Sequence, residues 1–257
     1  MPDTTRDTIH IIRCLKDNYA FLVTHPTTRT ATLIDAPEAA PILAALDAGG
    51  LKLGAVLLTH HHWDHVDGLA AVLEAHPCPV YGNGADAARL PPLDHAFAPG
   101  DKLLDGACDV LDAPGHTIGH VAFHFPALKA LFSADSLMTH GCGRLFEGTA
   151  DDMFDTIARF NALPKDTRLY SGHDYAQANL DFAAGFAPDP AALAARQAEL
   201  PRLARDGLPT TGTTLASERL VNPYLRTPLP EVATAAGMPG AEPRAVLAEI
   251  RKRKDNA

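Results

Sequence analysis

Residues 59–65 read Thr-His-His-His-Trp-Asp-His and follow directly on the apolar run Ala55-Val-Leu-Leu. A buried strand that opens into a histidine-rich loop is a strong constraint on the fold, because α/β folds place their sites where strand ends meet loops. Within the run, His60, His62, Asp64 and His65 form H-x-H-x-D-H. Alternate residues of an extended segment point the same way, so His60 and His62 are expected to share one metal, with Asp64 and His65 lying beyond to serve a second. The same alternation turns His61 away, and it is read as a non-ligand.

Three other polar residues stand at comparable positions. His116 sits in Ala-Pro-Gly-His-Thr-Ile-Gly-His, where Pro114 and Gly115 fix a turn. Asp135 ends Leu-Phe-Ser-Ala-Asp, and His173 ends Leu-Tyr-Ser-Gly-His. With the first cluster they supply five His and two Asp, which suits two divalent cations: His60, His62 and His116 on one, Asp64, His65 and His173 on the other, and Asp135 bridging. Imidazole and carboxylate without thiolate suit Zn, Fe or Mn, with Zn expected. A mononuclear site or a structural metal is the competing reading. The chain has 13 histidines, and His10, His25, His76, His95, His120, His124 and His140 are read as solvated or hydrogen-bonded side chains.

Composition narrows the partners. The 257 residues are 46% hydrophobic and 21% charged, a globular balance, and the formal net charge of -9 argues against nucleic acid or an anionic membrane as partner. An anionic ligand therefore has to meet a local basic patch. Cys14, Cys78, Cys108 and Cys142 form no C-x-x-C, so neither a disulfide framework nor a thiolate zinc site is expected, and a reducing compartment fits. Met1–Asp7 is polar and lacks the pattern of a secretory signal, and no apolar run approaches the ~18 residues of a membrane span. The expectation is a cytoplasmic protein.

Along the chain, short β-type runs at 9–15, 19–24 and 30–34 suggest a meander, followed by a helix over 38–47 that Gly49-Gly50 stops. The strand 55–59, a helix over 68–75 and strands at 79–81, 102–104, 108–111, 121–125, 130–133 and 168–170 follow, with a helix over 151–161 capped from Thr149. Past about Tyr175 the strand signal ends, and 191–205 and 242–254 read as helices. The composition predicts an α/β class, with a domain over 1–175 and a smaller helical one over 176–257.

These motifs resemble the metallo-β-lactamase superfamily and, within it, the glyoxalase II or hydroxyacylglutathione hydrolase family, over nearly the full length. The resemblance rests on residues 59–65, on Pro-Gly-His-Thr-Ile-Gly-His (114–120), Ser-Ala-Asp-Ser-Leu (133–137), Gly-Cys-Gly-Arg-Leu-Phe-Glu-Gly-Thr-Ala (141–150), Ser-Gly-His-Asp-Tyr-Ala-Gln-Ala-Asn-Leu (171–180) and the ending Arg-Lys-Arg-Lys-Asp (251–255). It implies an αββα sandwich followed by a helical glutathione-binding domain, and a binuclear metal site. It further implies hydrolysis of S-D-lactoylglutathione to D-lactate and glutathione by a metal-bridging hydroxide that Asp64 and Asp135 orient, the second step of methylglyoxal detoxification. The glutathione contacts implied are Arg144, Tyr175, Arg251 and Lys254, with Phe146 where many members carry a Tyr.

Arg251 and Lys254 are spaced to share a helix face and grip a carboxylate, against the plainer reading of a solvated basic helix end. Ala134 replaces a common Gly, a change expected to be tolerated. Cys142 is read as structural. A glutathione persulfide dioxygenase using one iron, a β-lactamase, or a metal-binding or thiol-ligand protein with a dead site are the other readings. The enzyme is expected to act as a monomer.

Overall fold

The computed structural model describes residues 8–25 and 27–257. The polar stretch Met1–Asp7 read above lies outside the described residues. The chain divides into two compact units, one of the residues up to Leu111 with Gly119–Leu128, the other of Asp112–Ile118 with Lys129–Ala257.

The first unit opens with the expected meander, β1 (Thr8–Cys14), β2 (Asn18–His25) and β3 (Thr30–Ile34), paired antiparallel in sequence order. Helix α1 (Ala39–Gly49) follows, and Gly50 closes it in the left-handed region, φ 55°, where its N–H reaches the Asp47 and Leu46 carbonyls. Strand β4 (Lys52–Leu57) then pairs parallel with β3. Its early residues alternate exposed and buried, while Ala55, Val56 and Leu57 are all buried, as a strand covered on both faces requires. The strand expected at 55–59 thus starts earlier and ends at Leu57, leaving residues 58–62 as the extended exit from the sheet.

That exit does not stay extended through residue 65. Helix α2 (Trp63–Val66) forms a single turn with His62 before it and Asp64 in its first turn, and His65 N donates to His62 O at 2.9 Å. Asp64 and His65, read as lying beyond the extended segment of His60 and His62, sit on this helical turn, where the dipole favours the Asp64 carboxylate. Helix α3 (Leu69–Ala75) and strands β5 (Val80–Asn83) and β6 (His95–Phe97) complete the sheet, β4, β5 and β6 running parallel. Strands β7 (Lys102–Leu103), β8 (Cys108–Asp112, to Leu111 in this unit) and β9 (Val121–Phe125) also fall in this unit but belong to a different sheet, β7 pairing antiparallel with β8. Val121 N donates to Thr59 O. Leu22, Leu33, Ile42, Leu46, Val56, Leu58 and Val72 are fully buried in one core.

In the second unit β10 (Ala130–Ala134) pairs parallel with a later strand, β13 (Arg168–Ser171), and the register slips at Ala134, immediately before Asp135. Ala134 itself has φ 42°, a left-handed conformation that suits glycine. Between these strands come β11 (Leu137–Met138) and β12 (Gly141–Cys142), a small hairpin, and α4 (Ala150–Asn161), which begins on the expected Thr149 cap. Helices α5 (Ala176–Ala183) and α6 (Pro190–Arg205) follow β13. Strand signal does not end wholly at Tyr175, because β14 (Thr213–Thr214) pairs antiparallel with β13. Two residues are too few to leave a periodic trace. Helices α7 (Leu215–Val221), α8 (Pro230–Ala235) and α9 (Pro243–Asp255) end the chain. Leu180, Leu200 and Val221 join α5, α6 and α7, and α9 buries Val246, Leu247 and Ile250. Among the described residues no helix is long and apolar enough to cross a membrane.

Candidate functional site

In the first unit His60 and His65 are fully buried. Asp35, at the end of β3, holds both from behind. Its Oδ1 accepts from Thr59 N at 2.9 Å, and its Oδ2 accepts from the Thr59 hydroxyl at 2.7 Å and from His65 Nδ1 at 2.9 Å. The Thr59 hydroxyl, having donated its proton to Asp35, accepts from His60 Nδ1 at 3.0 Å. Both imidazoles therefore carry a proton on Nδ1, which leaves Nε2 as the atom each would offer to a metal. Asp35 adopts φ 56° to do this.

The His60 ring lies 4.8 Å from that of His62 and 4.3 Å from that of His65, so the unit gathers the expected histidines into one cluster. Asn18 Nδ2 donates to the Asp64 carbonyl at 2.9 Å and to its Oδ2 at 3.1 Å, fixing the acid's orientation. His61 turns instead to Asp86, Nδ1 to Oδ2 3.1 Å, which agrees with its reading as a non-ligand. A Cβ at Gly119 would meet the Asp86 Cγ at 2.5 Å, so that close approach demands glycine. His120, expected as a solvated or bonded side chain, is fully buried and stacks on His60 at 4.7 Å.

The second unit brings together the other three candidates. His116, Asp135 and His173 are each at least 95% buried, and Asp135 Oδ2 lies 3.4 Å from His116 Nε2 and 3.2 Å from His173 Nε2. His116 Nδ1 donates to Arg144 O at 2.8 Å, which turns Nε2 toward Asp135. The loop carrying Arg144 reaches the cluster backbone to backbone: a Cβ at Gly143 would fall 1.7 Å from the Asp135 carbonyl. Tyr175 stacks on His173, centroids 4.8 Å apart and nearly parallel. Imidazole and carboxylate donors, with His60, His65, His116 and Asp64 each oriented by a partner behind it, fit borderline divalent cations such as Zn, Fe or Mn, and in that respect the residues fit the metals that the resemblance implies.

Beside this cluster lies a cavity of about 260 Å³ whose wall includes Cys142, Arg144, Tyr175, Asn179, Arg251 and Lys254. Arg251 is buried; its Nη1 donates to Cys142 O at 2.8 Å and to Gly143 O at 3.4 Å, and its Nη2 donates to Asp255 Oδ1 at 2.9 Å. Arg144, more than half exposed, places Nε 3.4 Å from the same Asp255 oxygen. Lys254 Nζ donates to Ala178 O at 3.0 Å over the Phe182 ring, and burial, then the charge of Arg251, draws its pKa below the ordinary lysine value. Phe146 is 61% exposed, edge-on to the His116 ring at 5.2 Å, with Arg144 over its face. It is not in the cavity wall. Burial raises the Cys142 thiol pKa against the opposing pull of Arg251, so it stays protonated.

Four positioning groups escaped sequence reasoning: Asp35, Thr59, Asn18 and Asp255. Asp35 carried a signal, since it closes an apolar strand as Asp135 does. Asn18 and Asp255 carried none.

Residues 17–173 match the family model of the metallo-β-lactamase superfamily, and residues 174–257 match that of the hydroxyacylglutathione hydrolase C-terminus. The hydroxyacylglutathione hydrolase of Ruegeria pomeroyi is 51% identical over 247 residues, covering 95% of this chain and 97% of that protein. A crystal structure in a di-iron-bound form is 31% identical with a TM-score of 0.57, covering 65% of this chain and 91% of the other. A B3 metallo-β-lactamase crystal structure shares the fold, with a TM-score of 0.65 at 22% identity over 85% of this chain and 99% of the other.

Proposed function

The chain belongs to the metallo-β-lactamase superfamily and, within it, to the hydroxyacylglutathione hydrolases, and on that premise we propose that it cleaves S-D-lactoylglutathione and related 2-hydroxyacylglutathiones to the 2-hydroxy acid and glutathione. The reaction with the lactoyl thioester is the second step of methylglyoxal detoxification. The observation that carries the reading is the shared wall between chemistry and binding in the second unit. Tyr175 stacks on His173 with one face and lines the Arg144–Arg251–Lys254 cavity, so an anion held there lies next to a metal donor.

The metal ligands proposed are His60, His62 and His116 for one cation, Asp64, His65 and His173 for the other, with Asp135 common to both. Two divalent ions, when bound, supply a water acidified toward neutral pH and a Lewis acid for the thioester carbonyl. The protein's part is orientation and proton handling. Asp64, held by Asn18, and Asp135, held among His116 and His173, aim the attacking water and take up its proton. Arg144, Tyr175, Arg251 and Lys254 bind the glutathione moiety, and residues 176–257 form the domain that supplies two of them, Arg251 and Lys254. Phe146, outside the cavity wall with Arg144 over its face, has no hydroxyl to add a hydrogen bond, a difference of about 1 kcal/mol in affinity. The leaving thiol, with a pKa near 8.5, departs as thiolate without a dedicated acid. Cys142, buried and protonated, supports no covalent route.

Thiol release by metal-replete protein from S-D-lactoylglutathione, with metal per chain measured in parallel, tests the reading. Wild-type protein is expected to release thiol stoichiometrically with D-lactate, and His173→Ala is expected to lower both bound metal and turnover, the latter by two orders of magnitude or more. Unchanged metal content and rate in His173→Ala would refute the ligand assignment.

A further inference from the structure

The cationic cavity already holds an acid. Asp255, the last residue of α9, offers a single oxygen, Oδ1, to Arg251 Nη2 at 2.9 Å and to Arg144 Nε at 3.4 Å. A carboxylate at a helix C-terminus is opposed by the dipole, whereas the preceding Lys252, Arg253 and Lys254 are favoured there. Asp255 is thus placed against the helix's own field and held by the two guanidinium groups.

The donor inventory of Arg251 shows what this does. A guanidinium has five N–H groups in a fixed fork. Nη1 is tied to the backbone carbonyls of Cys142 and Gly143, and Nε is buried facing no acceptor. Only Nη2 has a partner that can leave without dismantling the loop at 142–143, and that partner is the carboxylate of Asp255, whose side chain is 32% exposed against 7% for Arg251. An incoming carboxylate reaches Arg251 by taking the place of Asp255. We infer that Asp255 is an internal competitor for the substrate's terminal carboxylate, closing Arg251 and Arg144 in an ion pair that the glycine end of a glutathione thioester has to displace. The inference rests on the glutathione reading above. Asp255 would then set the KM for glutathione thioesters and hasten release of glutathione after the thioester is cut.

Asp255→Asn keeps the volume and removes the charge. It is to be assayed beside wild type on S-D-lactoylglutathione and on the same thioester with its glycine carboxylate converted to an amide. The expected result is a KM lowered about two- to five-fold for the carboxylate substrate, the range of a partly exposed ion pair, with kcat within two-fold and no change of KM on the amide. An unchanged or raised KM for the carboxylate substrate, the mark of a brace rather than a competitor, overturns the inference, and so does an equal fall on both substrates. If wild type releases no thiol from either substrate, the hydrolase reading fails. The Kd for glutathione by calorimetry then decides the role of Asp255: tighter binding by Asp255→Asn upholds it, unchanged or weaker binding rejects it.

Discussion

Asp35 stands behind the histidine cluster, and two imidazoles are oriented by it. One carboxylate orients His65 through a hydrogen bond and His60 through the Thr59 hydroxyl. Asp35→Asn replaces one acceptor oxygen by an NH2 group, which faces either the proton on His65 Nδ1 or the Thr59 N–H and leaves a donor against a donor. Loss of such a partner typically lowers metal affinity 10- to 100-fold. Asp35→Asn is therefore expected to surrender its metal to a chelator at correspondingly lower chelator concentration, measured by competition titration on folded protein. Affinity equal to wild type would show that the tautomers are set elsewhere. The histidine cluster itself was legible because H-x-H-x-D-H after an apolar run has few uses other than metal, and His60, His62 and His65 do lie ring to ring. Asp35 was not, since an acid that ends a strand reads the same whether it binds a metal or holds a histidine. His120 likewise gave no sign of its stack on His60, for ring contacts between loops leave no spacing in the sequence.

At the scale of elements, α4 shows how an ordinary cap serves the loop before it. Thr149 Oγ1 accepts from Asp152 N at 3.2 Å, while Asp152 Oδ2 accepts from Thr149 N at 2.8 Å, a reciprocal capping box. This box ends the loop that brings Gly143 onto Asp135 and Gly148 onto Gly115. The hydrogen bond from the Thr149 hydroxyl, then that from its backbone N–H, lowers the Asp152 pKa below the usual carboxylate value. A depressed folded-state pKa gives stability that is present above the unfolded pKa, near 3.9, and is lost as pH falls through the folded value. Because Asp152 lies at the surface and is only partly buried, the discounted effect is modest. Asp152→Ala is expected to lower stability by about 0.5–1 kcal/mol at pH 7. In urea titrations across pH, the gap from wild type should narrow below pH ~4. A gap that persists undiminished at pH 2.5 would assign the loss to contacts that do not depend on the carboxylate's charge. Long periodic helices such as α4, α6 and α9 were legible to within one residue. The hairpin of β11 and β12 and the two residues of β14 were not, because pairs that short are made by tertiary hydrogen bonds and have no period of their own.

For the molecule as a whole, the fold was legible from a few motifs at strand ends rather than from hydrophobic periodicity, which yields only an α/β class. The net charge alone already required a local basic patch for any anionic ligand, and the cavity shows which side chains form one. The chain carries a formal net charge of -9, yet the proposed substrate is an anion and the cavity proposed for it gathers Arg144, Arg251 and Lys254. These two fields differ in range. At about 10 mM salt the screening length is about 30 Å, so an approaching anion feels the repulsion of the whole molecule; at about 100 mM it is about 10 Å, and the nearby cavity cations dominate. Partly buried cations are screened less than exposed ones, so salt weakens the repulsion before it weakens the clamp. The kcat/KM for S-D-lactoylglutathione is accordingly expected to rise by about two-fold between those salt concentrations. Its glycine-amide counterpart, with no net charge, should show no rise. A steep fall with salt for the anionic substrate would mean that long-range attraction governs encounter, and that the surface around the cavity is basic over a wider area than these three side chains supply.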